Sequence, residues 1–258
     1  MDRWAVVTGA SGGIGLELAR ELARRGYALV LSARSADALE ALADELRAAH
    51  DVRCLVCAVD LSAAGGADAL AQRLAESGVR PEILVNNAGI GVYGPFAEAD
   101  ADRVQAMLEL NVVALTRLTR LLLPAMIDLG GARILNVAST AAFQPGPGMA
   151  AYFASKAYVL SLSEALAVEL RRRGVTVTAL CPGPTATGFV ARAAGERAAM
   201  LRGGLADAGA VARAGVAGLL RGRRVVVAGW RNRMMVRAQR FAPRRLVTWV
   251  AAWMMREV

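Results

Sequence analysis

Apolar runs rich in valine, leucine and isoleucine alternate along this chain with longer stretches whose apolar positions recur every three to four residues. The short runs, Trp4 to Val7, Ala28 to Leu31, Cys54 to Val59, Ile83 to Val85, Ile134 to Val137, Val175 to Leu180 and Val225 to Val227, predict strands. The longer stretches, near 14–25, 36–49, 66–77, 101–128, 151–173 and 206–220, predict helices. Strand, helix, strand repeated in this way implies right-handed crossovers and a parallel sheet covered on both faces. The expected fold class is α/β: a doubly wound parallel sheet of about seven strands with helices on both faces. Ligands of such sheets sit beyond the carboxyl ends of the strands, so residues just after each strand carry most weight.

Composition narrows this picture. A chain of 258 residues with 55% hydrophobic content can bury a large core, and no Ser/Gly/Pro-rich run is long enough to serve as a linker. One domain is expected over residues 1–230, followed by a basic amphipathic extension, 231–258. Residue 1 leads directly into a short apolar run and a glycine turn, which predicts no signal peptide and a cytoplasmic location. No uncharged apolar run approaches the roughly 18 residues that span a bilayer.

Cys54 and Cys57 form a C-x-x-C, but they fall in a predicted strand, where positions three apart point to opposite faces, and no second pair completes a metal site. Together with Cys181 they fit a reducing compartment, and no metal is expected. His50, the single histidine, ends a helical pattern and suits a surface or capping position.

The glycines come next. Immediately after the first strand, TGASGGIG (Thr8 to Gly15) runs into a predicted helix, with glycines at 9, 13 and 15. Such a turn lets the backbone approach a ligand, and the helix N-terminus behind it offers free N–H groups to phosphate. A Rossmann-type dinucleotide cradle and a merely tight connection both fit the glycines alone.

Charge then points to one residue. Lys156 is the single lysine among 31 basic residues. An ammonium can shift its pKa where a guanidinium stays charged. Tyr152 lies four residues earlier on the same predicted helix face, where a neighbouring ammonium would lower the phenol's pKa. The pair reads either as a tuned proton donor or as a surface lysine beside a core tyrosine.

These motifs, TGASGGIG, NNAG at Asn86 to Gly89, Asn111, Ser139, Tyr152 with Lys156, and the Pro182-Gly183 pair, occur in the order found in short-chain dehydrogenases/reductases, and over residues 4 to 230 the chain resembles the single-domain form of that family. The resemblance implies an oxidoreductase. Tyr152 would donate a proton to a carbonyl oxygen, Ser139 would hold that oxygen, Lys156 would depress the phenol pKa and bond the nicotinamide ribose, and Asn111 would hold a water joined to Lys156. On its own, Asn111 is an amide on the apolar stripe Val104, Leu108, Asn111, Leu115, Leu118, Leu122, and could equally tie two elements together.

The cofactor set implied by the resemblance is Gly9, Ser11, Gly13, Ile14, Gly15, Arg34, Asp60, Asn87, Ala88, Gly89, Tyr152, Lys156, Pro182, Gly183, Thr185 and Thr187. Arg34 ends the second strand where the adenosine ribose would lie, and a guanidinium there favours a 2′-phosphate. NADP(H) is therefore expected over NAD(H), with NAD(H) left open; a solvated loop charge is the plainer reading of Arg34. Ser11 and Ser32 are weaker phosphate candidates.

The expected substrate side comprises Ser139, Gln144, Met149, Tyr152 and Phe189, with Tyr93, Phe143, Pro147 and Phe153 on the rim. It is mostly apolar and lacks paired arginines, which suits a hydrophobic ketone or aldehyde and the corresponding alcohol. Family resemblance suggests a homodimer or homotetramer. Residues 221–258 hold ten arginines against one acid, Glu257, as much net charge as the whole chain's +9. Leu246, Trp249, Val250, Trp253 and Met254 give this tail an apolar surface, so it either packs on its own core or a partner subunit, or lies peripherally on an anionic membrane. No nucleic-acid reader motif accompanies the charge. A non-catalytic NADP-binding or membrane-associated scaffold is the alternative to the enzyme, although a scaffold has no use for Ser139, Tyr152 and Lys156 together.

Overall fold

The computed structural model describes residues 3–188 and 204–254, so the Phe189 expectation lies outside the described residues, as does the side chain of Met254 expected on the tail's apolar surface. Seven strands form one sheet: β1 (Trp4–Thr8), β2 (Ala28–Ala33), β3 (Cys54–Ala58), β4 (Pro81–Asn86), β5 (Arg133–Val137), β6 (Thr176–Cys181) and β7 (Val225–Val227), in the order β3-β2-β1-β4-β5-β6-β7. Every pairing is parallel. Period-two alternation divides the core. Val7, Leu31, Val85 and Leu180 face α1 (Gly13–Ala23), α2 (Ala36–His50) and the later α7 (Ala208–Leu220). Val6, Val30, Leu84 and Val177 face α3 (Gly66–Glu76), α5 (Leu115–Leu129) and α6 (Ala150–Glu169). Cys54 packs with the first set and Cys57 with the second, as the spacing predicts.

Chain order reverses at β1, whose neighbours are β2 and β4, so the crevice of this sheet opens above the carboxyl ends of β1 and β4. The predicted helix 101–128 is continuous but not uniform: α4 (Ala101–Leu108) passes through a π segment, Glu109–Ala114, into α5. The π segment adds a residue to the turn and shifts the wheel upstream. Met107 is therefore buried in place of the expected Val104 and Leu108, while Asn111, Leu115, Leu118 and Leu122 keep the predicted face. Residues Ala101–Leu129 are long and apolar enough to cross a membrane by length and composition, yet Met107, Leu115, Leu118, Leu122 and Met126 are buried in the protein.

Below the crevice, Asn86 and Asn136 sit opposite each other on β4 and β5 and are both buried. Asn86 Nδ2 donates to Asn136 Oδ1 and Thr119 Oγ1, each at 2.9 Å, and Asn136 Nδ2 donates to Ser163 Oγ at 2.9 Å. This chain of satisfied amides joins β4, β5, α5 and α6 under the site, where an unpaired amide would cost about 1–3 kcal/mol. The tail forms α8 (Trp230–Gln239) and α9 (Arg244–Met254), with Pro243 between them.

Candidate active site

The glycine turn is a cradle that side chains would fill. Gly9 and Gly13 have φ of +66° and +57°, which glycine alone adopts without strain. A Cβ on Gly15 would stand 2.2 Å from Gly9 O and 2.3 Å from Asn87 Nδ2. Behind it, α1 begins without a side-chain cap and without an acid in its first turn, leaving N–H groups and the positive dipole end for an anion. Ser11 is exposed on this turn, whereas Ile14 is half-buried and packs on the core. Ser32 is wholly buried, which corrects its expected phosphate contact: it faces the interior between β1 and β3.

A clamp holds the cradle to β4. Thr8 Oγ1 donates to Val85 O (3.2 Å) and accepts from the N–H groups of Asn87 (3.0 Å) and Ala88 (3.1 Å). Asn87 Nδ2 donates back to Thr8 O (2.9 Å) and Gly9 O (3.2 Å). Asn87 thus fixes the turn, and Thr8 shares that work although its sequence position suggested only the start of the glycine run.

Arg34 lines a recess with Gly89, Ile90, Gly91, Val92, Arg103 and Ala106. Arg34 and Arg103 form no ion pair among the described residues, so two guanidiniums border this recess where the sequence pointed to one. Arg103 escaped notice because nothing in the sequence shows that α4 and the end of β2 border one recess. Asp60, after β3, accepts from Ser62 Oγ (2.6 Å) and Ser62 N (2.9 Å), and these bonds, aided by Arg34, hold its carboxyl below the usual range.

Beyond β6, Pro182 and Gly183 enter a turn in which Thr185 Oγ1 donates to Gly183 O at 2.9 Å. Thr185 is buried, while Thr187 is half-buried over the cradle, so that a Cβ on Gly13 would meet its methyl at 3.0 Å.

Ser139, Tyr152 and Lys156 come together at the carboxyl edge of β5. The Ser139 hydroxyl and the Tyr152 phenol are hydrogen-bonded, and Ser139 Oγ also accepts from Ala141 N at 3.1 Å. Lys156 Nζ lies 5.9 Å from the centroid of the Tyr152 ring and donates to Val137 O at 2.9 Å. Burial pushes the phenol up to about 12, partly opposed by Ser139, and pulls the ammonium down to about 8. The expected lowering of the phenol by its neighbouring lysine is therefore not what the structure shows. Desolvation dominates because the pair lies deep, beside the apolar cluster of Met107, Ala141, Met149 and Phe153.

Asn111 occupies the π segment and is 1% exposed. Its Oδ1 accepts from Ile90 N (3.0 Å), and its Nδ2 donates to Ile90 O (2.9 Å) and Ser155 Oγ (3.2 Å). Ser155 Oγ in turn donates to Tyr152 O at 2.7 Å, so Ser155, which the sequence reading did not single out, links Asn111 to the catalytic helix. Asn111 Oδ1 and Lys156 Nζ both flank Gly89, where an added Cβ would lie 3.0 and 3.4 Å from them.

On the substrate side, Met149 is 4% exposed and packs beneath the site, not on an open rim, and Phe153 is wedged against Gly146. Gln144 Oε1 accepts from Gln239 Nε2 of α8, and Asn232 of the same helix sits over Gly183. The tail's first helix thus covers this edge.

The sequence profile of the short chain dehydrogenase family matches residues 3–198. Over 196 residues, 75% of this chain and 77% of the relative, the sequence is 39% identical to a sulfoacetaldehyde reductase of Chromohalobacter salexigens. It is 35% identical over 191 residues to a very-long-chain 3-oxoacyl-CoA reductase of Rattus norvegicus, covering 72% of this chain and 61% of that protein's length. A short-chain dehydrogenase from Sphingobium yanoikuyae, solved in complex with NADPH, superposes with a TM-score of 0.82 at 33% identity, covering 93% of this chain and 94% of the other. With its parallel seven-stranded sheet, glycine cradle and Ser139-Tyr152-Lys156 cluster, the chain belongs to the short-chain dehydrogenase/reductase family and is an NAD(P)-dependent oxidoreductase.

Proposed function

We propose that the chain is an NADPH-dependent reductase of an apolar ketone or aldehyde, reversible with the corresponding alcohol. The observation that carries this reading is the buried phenol of Tyr152, hydrogen-bonded to Ser139 and 5.9 Å from the ammonium of Lys156, at the sheet edge beside the glycine cradle. Gly9, Ser11, Gly13, Ile14 and Gly15 would hold the pyrophosphate, Asp60 and Asn87 to Gly89 the adenosine, and Pro182, Gly183, Thr185 and Thr187 the nicotinamide end. Arg34, joined by Arg103, favours a 2′-phosphate. When bound, nicotinamide supplies the hydride.

The chain's own residues supply position and the proton. Ser139 Oγ–H holds the carbonyl oxygen and Tyr152 O–H donates to it, which is general acid catalysis with electrostatic support. A phenol near 12 stays protonated at neutral pH, ready to act as an acid. Lys156, near 8, still carries its proton there and stabilises the phenolate left after transfer. Asn111 and Ser155 fix the helix that bears both groups.

Met107, Ala141, Met149 and Phe153, with Ile90, Val92 and Tyr93, form the apolar cluster that holds the Tyr152 ring. That lining favours an apolar carbonyl over a sulfonate or carboxylate. Oligomerisation is part of the same reading: Val113, Tyr158 and Val168 leave apolar surface exposed on the long helices, which suits a second copy.

The test is NADPH consumption across a panel of carbonyl compounds. Aliphatic and bulky ketones are expected to turn over, and Tyr152→Phe to abolish turnover while leaving NADPH affinity within about twofold, since the lost hydroxyl acts on the transition state. Wild-type protein that binds NADPH and reduces no member of the panel would refute the reading.

A further inference from the structure

The final helix displays its apolar stripe outward. Leu246, Trp249, Val250 and Trp253 follow the i, i+3, i+4, i+7 spacing of one helical face. Their exposures are 51, 65, 39 and 62%. Ala251, 2% exposed, lies about 140° round the helix from Leu246 and faces the protein. The amphipathic pattern is thus not spent on the core. Phe241, in the link before α9, is 90% exposed and Trp230, at the start of α8, is 66% exposed, so three of the chain's four tryptophans stand in solvent on this extension.

The charge around the stripe is also unspent. Arg231, Arg233, Arg237, Arg240, Arg244 and Arg245 are all exposed, and residues 230–254 contain no aspartate or glutamate. None of these arginines forms a salt bridge among the described residues, whereas Arg3, Arg20, Arg25, Arg117 and Arg133 of the domain are all paired with acids. Tryptophan and leucine on one helical face, with unneutralised arginine beside them, match the interface of a bilayer rich in anionic headgroups. A second copy of the chain would bring the same positive charge to this face, and repulsion would oppose its docking. A groove of nucleic acid would leave the tryptophan stripe in water.

We propose that α9, with its preceding link, docks peripherally on an anionic membrane surface, the stripe Leu246-Trp249-Val250-Trp253 entering the interface and the flanking arginines engaging phosphate headgroups. The docked helix follows α8, which is anchored at the substrate edge through Gln239–Gln144 and over Gly183, so the membrane-facing side adjoins that edge. This contact stands on the extension's surface alone and is independent of which carbonyl the enzyme reduces.

Sedimentation of the full chain with phosphatidylcholine vesicles, with and without phosphatidylglycerol, tests it without substrate or NADPH. The protein is expected to pellet with the anionic vesicles, less so as salt rises, and its tryptophan emission to shift to the blue. Arg244→Gln with Arg245→Gln should weaken partitioning by at least about tenfold, since each arginine at an anionic surface is worth roughly fivefold. Trp249→Ser with Trp253→Ser should abolish the blue shift and most of the binding, with the thermal unfolding transition of both variants showing that they fold. Failure of the wild type to pellet with anionic vesicles, or undiminished pelleting of both variants, would overturn the proposal. So would the tryptophan variant dissociating an oligomer that itself ignores vesicles, which would assign the face to a second copy.

Discussion

Replacing Lys156 by methionine separates the chemical role of this lysine from its effect on folding. The side chain is 5% exposed, and burial takes its ammonium from 10.5 to about 8. At about 1.4 kcal/mol per tenfold, the charged form destabilises the native state by about 3 kcal/mol wherever both folded and unfolded chains carry the proton. Because the native value lies below the unfolded one, the unfolded chain holds the extra proton between pH 8 and 10.5. Stability contributed by this site therefore rises with pH through that window. Methionine keeps an unbranched apolar stem and has no proton to exchange.

Urea unfolding of wild type and Lys156→Met across pH 7 to 10 gives the comparison. Tyr152 and Cys181, both pushed up to about 12 by burial, lose stability as pH climbs above their ordinary values of 10 and 9; both are present in the two proteins, and of their contributions only the charge coupling of Cys181 to Lys156 enters the difference. Relative to the variant, the wild type is expected to gain about 2–3 kcal/mol between pH 7 and 10. Parallel curves would refute the reasoning, since they would mean that Lys156 titrates alike in the folded and unfolded chains.

The cofactor and pH behaviour can be tested on the same protein. Arg34→Ala should weaken NADPH by tenfold or more while changing NADH little, on the scale of about 1.5–3 kcal/mol for a hydrogen bond to a charged group, and Arg103→Ala should act in the same direction; equal losses for both cofactors, measured by fluorescence titration, would remove the phosphate contact. Gly15→Ala places a methyl 2.2 Å from Gly9 O, where backbone rather than a flexible side chain must yield, so NADPH binding should be lost and the thermal midpoint lowered. Carbonyl reduction should hold steady below about pH 8 and fall above it as Lys156 loses its charge, while alcohol oxidation should rise toward high pH as the phenol ionises; a reduction rate that increases from pH 7 to 9 would contradict this assignment.

Most of the scaffold could be read from periodicity because its strands are buried on both faces and its helices on one. β7 is Val225–Val227 in both readings, and β1 through β6 differ from the sequence expectation by at most two residues at either end. What pattern alone does not carry is a local change of helical pitch. A single wheel through 101–128 places Val104 and Leu108 inward, and only the π segment at Glu109–Ala114 lets Met107 take their place while Asn111 keeps its inward position. Thr8, Ser155 and Arg103 were illegible for a related reason. Each acts through a partner 44 or more residues away or across a recess, and no spacing encodes that proximity. Ser32 shows the converse, a polar residue near a motif that the strand turns inward.

Depth is the remaining quantity, and it decides what the catalytic pair does. Four residues of helix place a phenol and an ammonium on one face, and in water that neighbourhood would lower the phenol's pKa. Here the same helix packs with Met107, Ala141, Met149 and Phe153 around Tyr152, while Lys156 is fastened to Val137 O rather than turned fully to the ring. Burial then moves the two groups toward their neutral forms from opposite directions, the phenol to about 12 and the ammonium to about 8. At neutral pH this leaves a protonated phenol beside a lysine that still carries its charge but holds it weakly. Such a pair is poised for reduction: the acid is loaded, and the lysine can return a proton to the phenolate at far less cost than a solvated ammonium would. The chemistry therefore depends as much on the apolar side chains that exclude water as on the two residues whose spacing announces it.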